Sequence, residues 1–213
     1  MNDEQKNIIT MEDNDNENDK DNDKEKERKG NFNPLDKLLK ARKIIISSDV
    51  NSKMADKVVQ QLLALEVENP DEDITIFINS PGGEVYSGFA IYDVMKAIKP
   101  KVKTVVMGLA ASMGSILSIG ASKGNRYALP NSKILIHQPL ISGVLRASTT
   151  DIEIHAKDMI KLKSRLVQIY VEATGQTEEI IRRDFERDYW MTAEEARDYG
   201  LLDKIITSTS DIA

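Results

Sequence analysis

Residues 104–119, TVVMGLAASMGSILSI, carry no charge and change character in the middle. The β-branched run at 104–106 reads as a buried strand, and the segment from Met113 to Ile119 has helix-forming residues. Between them the small residues Gly108 to Gly114 form a turn that presents Ser112. A strand entering a helix through such a turn exposes a hydroxyl at the edge of a sheet, the arrangement a serine nucleophile needs. A serine at this point also serves as a helix N-cap, and local sequence does not choose between the two roles. The uncharged run extends to Ser122, long enough to raise a membrane span, but Gly108, Gly114 and Gly120 lower its hydrophobicity. A buried strand, turn and helix accounts for the same residues.

Reading outward, residues 74–78 form another apolar strand and 102–107 is the strand that leads into the turn. Met54, Val58, Val59, Leu62 and Leu65 repeat at helical spacing over 52–65, and a second helix is expected over 86–98. Asn33 caps a short helix that has Pro34 at its first position and ends near 42, before a strand at 44–46. Beyond the turn, 127–129 and 134–136 read as short strands. Residues 150–174 form one long helix whose apolar stripe is Ile152, Ala156, Met159, Leu162, Leu166 and Ile169, with Gly175 as its C-cap. Thr192 and Glu195 make a capping box for a helix closed by Gly200, and 202–206 is the last strand. Alternating strands and helices predict an α/β fold with a mainly parallel sheet.

The chain has 213 residues, enough for one well-buried domain and a tail. Residues 1–30 hold 11 Asp/Glu against 6 Lys/Arg, which accounts for most of the net charge of −6. With so little apolar area this acidic segment is expected to be disordered, and the folded domain to span 31–213. The nearly neutral body offers no basic stripe for nucleic acid. The absence of cysteine excludes disulfides and thiol catalysis. Two histidines, His137 and His155, without an HExxH pattern, give no transition-metal site. Neither a secretory signal nor an organellar transit pattern is present.

His137 follows the apolar run 134–136 and precedes Gln138-Pro139, so it lies at a strand end that can face a cleft. His155 lies within the long helix and is the other candidate base. Asn79-Ser80-Pro81-Gly82-Gly83 is a turn whose paired glycines let a backbone N–H approach a ligand. A third triad member is to be found among 35 carboxylates, and spacing does not select it.

Five blocks in order, INSPGGEVYSGFAIYD (78–93), GLAASMGSIL (108–117), LPNSKILIHQPL (129–140), TDIEIHAKDMIKLK (150–163) and FERDYWMTAEEARDYGLLDKI (185–205), closely resemble the proteolytic subunits of the Clp protease. The resemblance implies a crotonase-like α/β fold with a protruding handle helix. It assigns Ser112 as nucleophile, His137 as general base, Asp188 as orienting carboxylate, and the backbone N–H groups of Gly83 and Met113 as the oxyanion hole. Arg187 matches a position for ion pairing between rings. The implied assembly is two stacked seven-membered rings, in the cytoplasm, fed with unfolded proteins by a partner AAA+ ATPase. No G-x-x-x-x-G-K-[ST] sequence occurs, so ATP hydrolysis is expected of that partner and no cofactor of this chain.

Two stretches depart from the family pattern. An acidic tail stands where the family has an apolar gating segment, and residues 140–148, LISGVLRAS, replace a glycine-rich run. They motivate an alternative, a poorly active ring subunit that pairs with an active paralogue. A crotonase-type acyl-CoA enzyme shares the fold, and the Ser112, His137 and Asp188 set argues against it.

Overall fold

Isoleucines alternate along strand β2 (Ile74–Ser80), where Ile74, Ile76 and Ile78 are fully buried and the residues between them are not. That period of two puts one face of the strand into the core. The computed structural model describes residues 33–141 and 146–212. The chain separates into a first unit, Met1–Lys37, and a body, Leu38–Ala213. The expected disordered tail and its boundary near residue 30 lie outside the described residues.

In the body, β2 pairs in parallel with β1 (Lys43–Ile46) on one side and with β3 (Val102–Ala111) on the other. The sheet continues through β4 (Arg126–Ala128) to β7 (Lys204–Ile205), also parallel. Between strands run the helices α2 (Ser52–Glu68), α3 (Val85–Ala97) and the short α4 (Met113–Ser118), after an initial α1 (Pro34–Lys40). Helix α2 starts at Asn51, whose side chain accepts the N–H of Met54, and it buries Ala55, Val58, Leu62 and Leu65. That i, i+3, i+7, i+10 stripe is one face of the helix.

Strand β3 is longer than its sequence suggests, and this extension builds the site. Its first half pairs with β4 and its second half, Leu109–Ala111, pairs with β5 (Lys133–Ile136). The partner changes at Gly108, which has φ 94°, and the β2–β3 register shifts between Ile78 and Ser80. Asn79 Oδ1 fills the irregularity by accepting the N–H of Leu109 at 3.2 Å. A turn at Gly108 was expected; the strand instead bends there and keeps pairing.

Helix α5 (Thr149–Thr174) ends at Gly175 in the left-handed conformation, and α6 (Glu178–Asp184) follows. Strand β6 (Tyr189–Thr192) then runs antiparallel to β5 before α7 (Ala193–Tyr199). The capping box of Thr192 and Glu195 is formed on both sides, and Gly200 closes α7 in the left-handed conformation. Only the last turns of α5 are buried, through Leu166, Val167, Ile169 and Tyr170. Ile152, Ile154 and Ile160 on its first half are exposed. The expected stripe of α5 therefore packs on the body at one end only. The expected strand 202–206 shrinks to two residues, and α6 and β6 were not foreseen.

Candidate active site

Three neighbouring strands deliver the polar residues to one edge of the sheet. Ser112 follows the last residue of β3, and its N–H donates to the carbonyl of Leu135 on β5 at 2.9 Å. His137 follows the last residue of β5, and Asp188 precedes the first residue of β6. Because Ile136 pairs with Tyr189 in the antiparallel register, continuing each strand by one residue sets His137 opposite Asp188. Open α/β sheets place their ligand clefts beyond the carboxyl ends of parallel strands, and Ser112 and His137 both sit there.

The side chains form a continuous line. His137 Nε2 lies 2.8 Å from Ser112 Oγ, and His137 Nδ1 lies 3.0 Å from Asp188 Oδ1. Ser112 occupies the N-cap position of α4, yet its hydroxyl makes no cap hydrogen bond. The hydroxyl goes to His137 instead, so the side chain of Ser112 does not cap the helix. Ser112 also has φ 53° and ψ −120°, a conformation that costs a non-glycine residue ~1–3 kcal/mol and marks strained sites that present a side chain.

Beside Ser112, the Pro81-Gly82-Gly83 turn is fixed by Val50, whose N–H donates to Gly82 O at 2.7 Å and whose carbonyl accepts Glu84 N–H at 2.8 Å. This bridge uses the residues on either side of Gly83, so the N–H of Gly83 points away from Val50. Gly83 has φ 146°, and a Cβ there would lie 2.2 Å from Val50 O. The N–H of Met113 is a first-turn helix donor, without an acceptor four residues back in its own helix. Gly83 and Ser112 line a cleft of about 630 Å³ whose walls also include Val50, Gly82, Leu135, His137 and Leu140.

A smaller recess next to it is lined by His137, Gln138, Glu186, Arg187 and Asp188. Arg187 is exposed there, beside Asp188. His155 is exposed on the first half of α5, among residues that do not line the cleft. Among the described residues no group of three or more His, Asp or Glu side chains could hold a metal ion. No helix among them is long and apolar enough to cross a membrane.

Sequence reasoning missed a polar clasp around this line. Lys163 Nζ on α5 donates to Glu186 Oε2 at 2.6 Å and to Gln138 Oε1 at 2.9 Å, and Gln138 Nε2 donates to the carbonyl of Glu186 at 2.8 Å. The hydrogen bond from Lys163 holds the Glu186 carboxyl below the usual carboxylate range. The only early signal was the position of Gln138 and Glu186, one residue after His137 and two before Asp188.

A hydroxyl held by an imidazole and a carboxylate, at the strand ends of a parallel α/β sheet, defines the class of a serine hydrolase. The family model described as Clp protease matches residues 25–209. The chain is 49% identical to the ATP-dependent Clp protease proteolytic subunit 1 of Chlamydia abortus over 176 residues, 83% of this chain and 92% of that protein. It is 51% identical to the protein of the same name in Protochlamydia amoebophila over 175 residues, 82% of this chain and 85% of that one. The chain belongs to the Clp protease family, as a proteolytic subunit of the serine-endopeptidase type.

Proposed function

We propose that this chain cuts unfolded polypeptides with Ser112 as nucleophile, His137 as general base and Asp188 as orienting carboxylate, inside a ring assembly served by a Clp ATPase. The observation that carries the reading is the unbroken line from Ser112 Oγ through His137 to Asp188, at 2.8 and 3.0 Å. With its Nδ1–H donated to Asp188, neutral His137 presents a bare Nε2 that takes the Ser112 proton as Oγ attacks the peptide carbonyl. The carbonyl oxygen then carries the negative charge, and the N–H groups of Gly83 and Met113 are the donors aimed at it. His137 returns the proton to the leaving amine. A water molecule, deprotonated in turn by His137, releases the acyl group from Ser112.

The assembly belongs to the same proposal. Two stacked rings of seven would bury the exposed isoleucines of α5 between subunits, and Arg187 would pair across rings beside Asp188. The partner would be a hexameric AAA+ ATPase, in the cytoplasm, and would supply all ATP hydrolysis, with no cofactor bound by this chain. The relatives at 49% and 51% identity are named subunit 1, which is compatible with a ring shared with a paralogous subunit.

The test uses the assembled protein, alone and with a Clp ATPase. A fluorophosphonate probe should label the wild type at Ser112 and leave Ser112→Ala unlabelled, and Ser112→Ala should lose peptide hydrolysis while native mass spectrometry finds the same assembly. Hydrolysis surviving Ser112→Ala at a near-normal rate would remove Ser112 from its role. An unlabelled wild type beside a labelled active relative would favour a silent ring subunit.

A further inference from the structure

The carbonyl of Ser112 and the N–H of Met113 belong to one peptide plane, so whatever grips the oxygen aims the N–H. Three donors converge on that oxygen: Ser115 Oγ at 2.7 Å, the N–H of Ser115 at 3.0 Å and the N–H of Ile116 at 3.4 Å. The shortest is a side chain. Ser115 Oγ is itself hydrogen-bonded to the hydroxyl of Tyr170 on α5. A serine hydroxyl has a single proton, and Ser115 gives its proton to Ser112, so Tyr170 must donate to Ser115. The order is Tyr170 O–H to Ser115 O–H to the carbonyl of Ser112.

Both hydroxyls are sealed from water, since Ser115 is 0% and Tyr170 1% exposed. Burial pushes the Tyr170 phenol far above its ordinary range, against a smaller opposing pull from the Ser115 hydrogen bond, so it stays a donor at any working pH. Its ring is wedged edge-on against Phe185, with centroids 5.4 Å apart. A serine inside a helix often bonds back to a carbonyl three or four residues earlier without further consequence. Here the bond ends on the strained residue that carries the nucleophile, and a second buried hydroxyl is committed to it. Hydrogen bonds in such a chain polarise one another, by roughly 10–30% per bond, and drawing electron density from an amide oxygen strengthens its N–H as a donor.

We propose that Ser115 and Tyr170 are positioning residues, a buried two-hydroxyl relay that clamps the Ser112–Met113 peptide and strengthens its N–H toward the oxyanion. This rests on the reading of Met113 N–H as an oxyanion donor. The relay acts on the tetrahedral state and leaves ground-state substrate binding alone.

The experiment compares the assembled wild type with Ser115→Ala, Tyr170→Phe and the double variant. It measures kcat and KM on a fluorogenic peptide, and the inhibition constant of a peptide boronate whose adduct with Ser112 is tetrahedral. Losing an oxyanion donor outright costs roughly a hundredfold or more, so weakening one through Ser115→Ala should lower kcat about tenfold with KM within about twofold. Tyr170→Phe should lower kcat about threefold, because Ser115 still donates. Boronate affinity should fall by the same factors. The double variant should be no worse than Ser115→Ala, because Tyr170 acts only through Ser115.

Unchanged boronate affinity in both single variants, or losses that multiply in the double variant, would overturn the relay. Tyr170→Phe keeps the ring packed on Phe185, so it tests the relay even where Ser115→Ala fails to fold. Fluorophosphonate labelling of the wild type separates the two readings. A labelled wild type with unaffected variants sinks the relay alone, and an unlabelled wild type sinks the catalytic reading and the relay with it.

Discussion

Lys163 and Glu186 are joined at 2.6 Å, and Gln138 is hydrogen-bonded to both. The pair ties α5 to the loop that carries Asp188, while Gln138 brings in the strand end that carries His137. Glu186 is more than half exposed, so the ion pair contributes little to global stability; its effect is to hold two loops at one spacing. Lys163→Met is expected to lower kcat about three- to fivefold with KM nearly unchanged, and Lys163→Arg to restore most of it. Steady-state kinetics on a short peptide checks this.

The same clasp has a defined pH window. Its folded carboxyl is held below the usual carboxylate range, mainly by the hydrogen bond from Lys163 and then by its charge. A depressed folded value means the contribution is present above the unfolded value and is lost as pH falls through the folded one. The ratio of wild-type to Lys163→Met activity should therefore stay constant from about pH 8 to about pH 5. A ratio that collapses between neutrality and pH 6 would show that some other group sets the loop spacing.

Gly83 admits no side chain, because a Cβ would meet Val50 O at 2.2 Å and its φ of 146° is strained for any other residue. Gly83→Ala must push the Pro81-Gly82-Gly83 turn off Val50 and turn its N–H away from the cleft. The expected result is a fall in kcat of at least about a hundredfold, with a smaller fall in the melting temperature. Retained activity in a folded Gly83→Ala protein would exclude this N–H as an oxyanion donor.

The parts of the fold legible in the sequence are those whose pattern is local. Met54 to Leu65 repeat at helical spacing, and the alternation of Ile74, Ile76 and Ile78 marks a half-buried strand, so both segments appear where expected. Strand β6 escapes notice because Tyr189 and Trp190 are exposed and only Met191 is buried. Its pairing is decided by β5, more than fifty residues earlier. Helix α6 has seven residues, too few to show a period. The role of Ser112 was likewise illegible locally, since the group that takes its hydroxyl lies 25 residues away. Asp188 came from family resemblance; the structural reason it suits is the β5–β6 register, which spacing along the chain does not contain.

The outer half of α5 presents Ile152, Ile154 and Ile160 to solvent, each about half exposed or more. Large apolar side chains left exposed along one stretch of helix, with nothing among the described residues to cover them, mark a surface suited to another subunit. Ile154→Glu combined with Ile160→Glu should shift the assembly to smaller species in sedimentation velocity and native mass spectrometry. Peptide hydrolysis should fall with it. Unaltered assembly would mean that these side chains stay in solvent.

Arg126 is only 2% exposed, yet it carries a full charge into the core between β4 and the end of α5. Its guanidinium donates to both oxygens of Asp203 and to the carbonyls of Ala173 and Gly200, so it satisfies the ends of α5 and α7 together. Burial alone would raise the Asp203 carboxyl, but the hydrogen bonds from Arg126 and Gly124 outweigh it and hold the group low. Removing one partner strands the other, so Asp203→Asn should cost about 3–5 kcal/mol, whereas a surface substitution such as Lys57→Gln should cost less than about 0.5 kcal/mol. The sign of the pH dependence follows from the depressed value. The stabilisation is present above the unfolded carboxyl range, near pH 4, and disappears as pH falls through the folded value. Denaturant unfolding between about pH 7 and pH 3 should show the wild type losing its advantage over Asp203→Asn only at the acid end. An advantage already lost at pH 6 would assign the stabilisation to a group other than this pair.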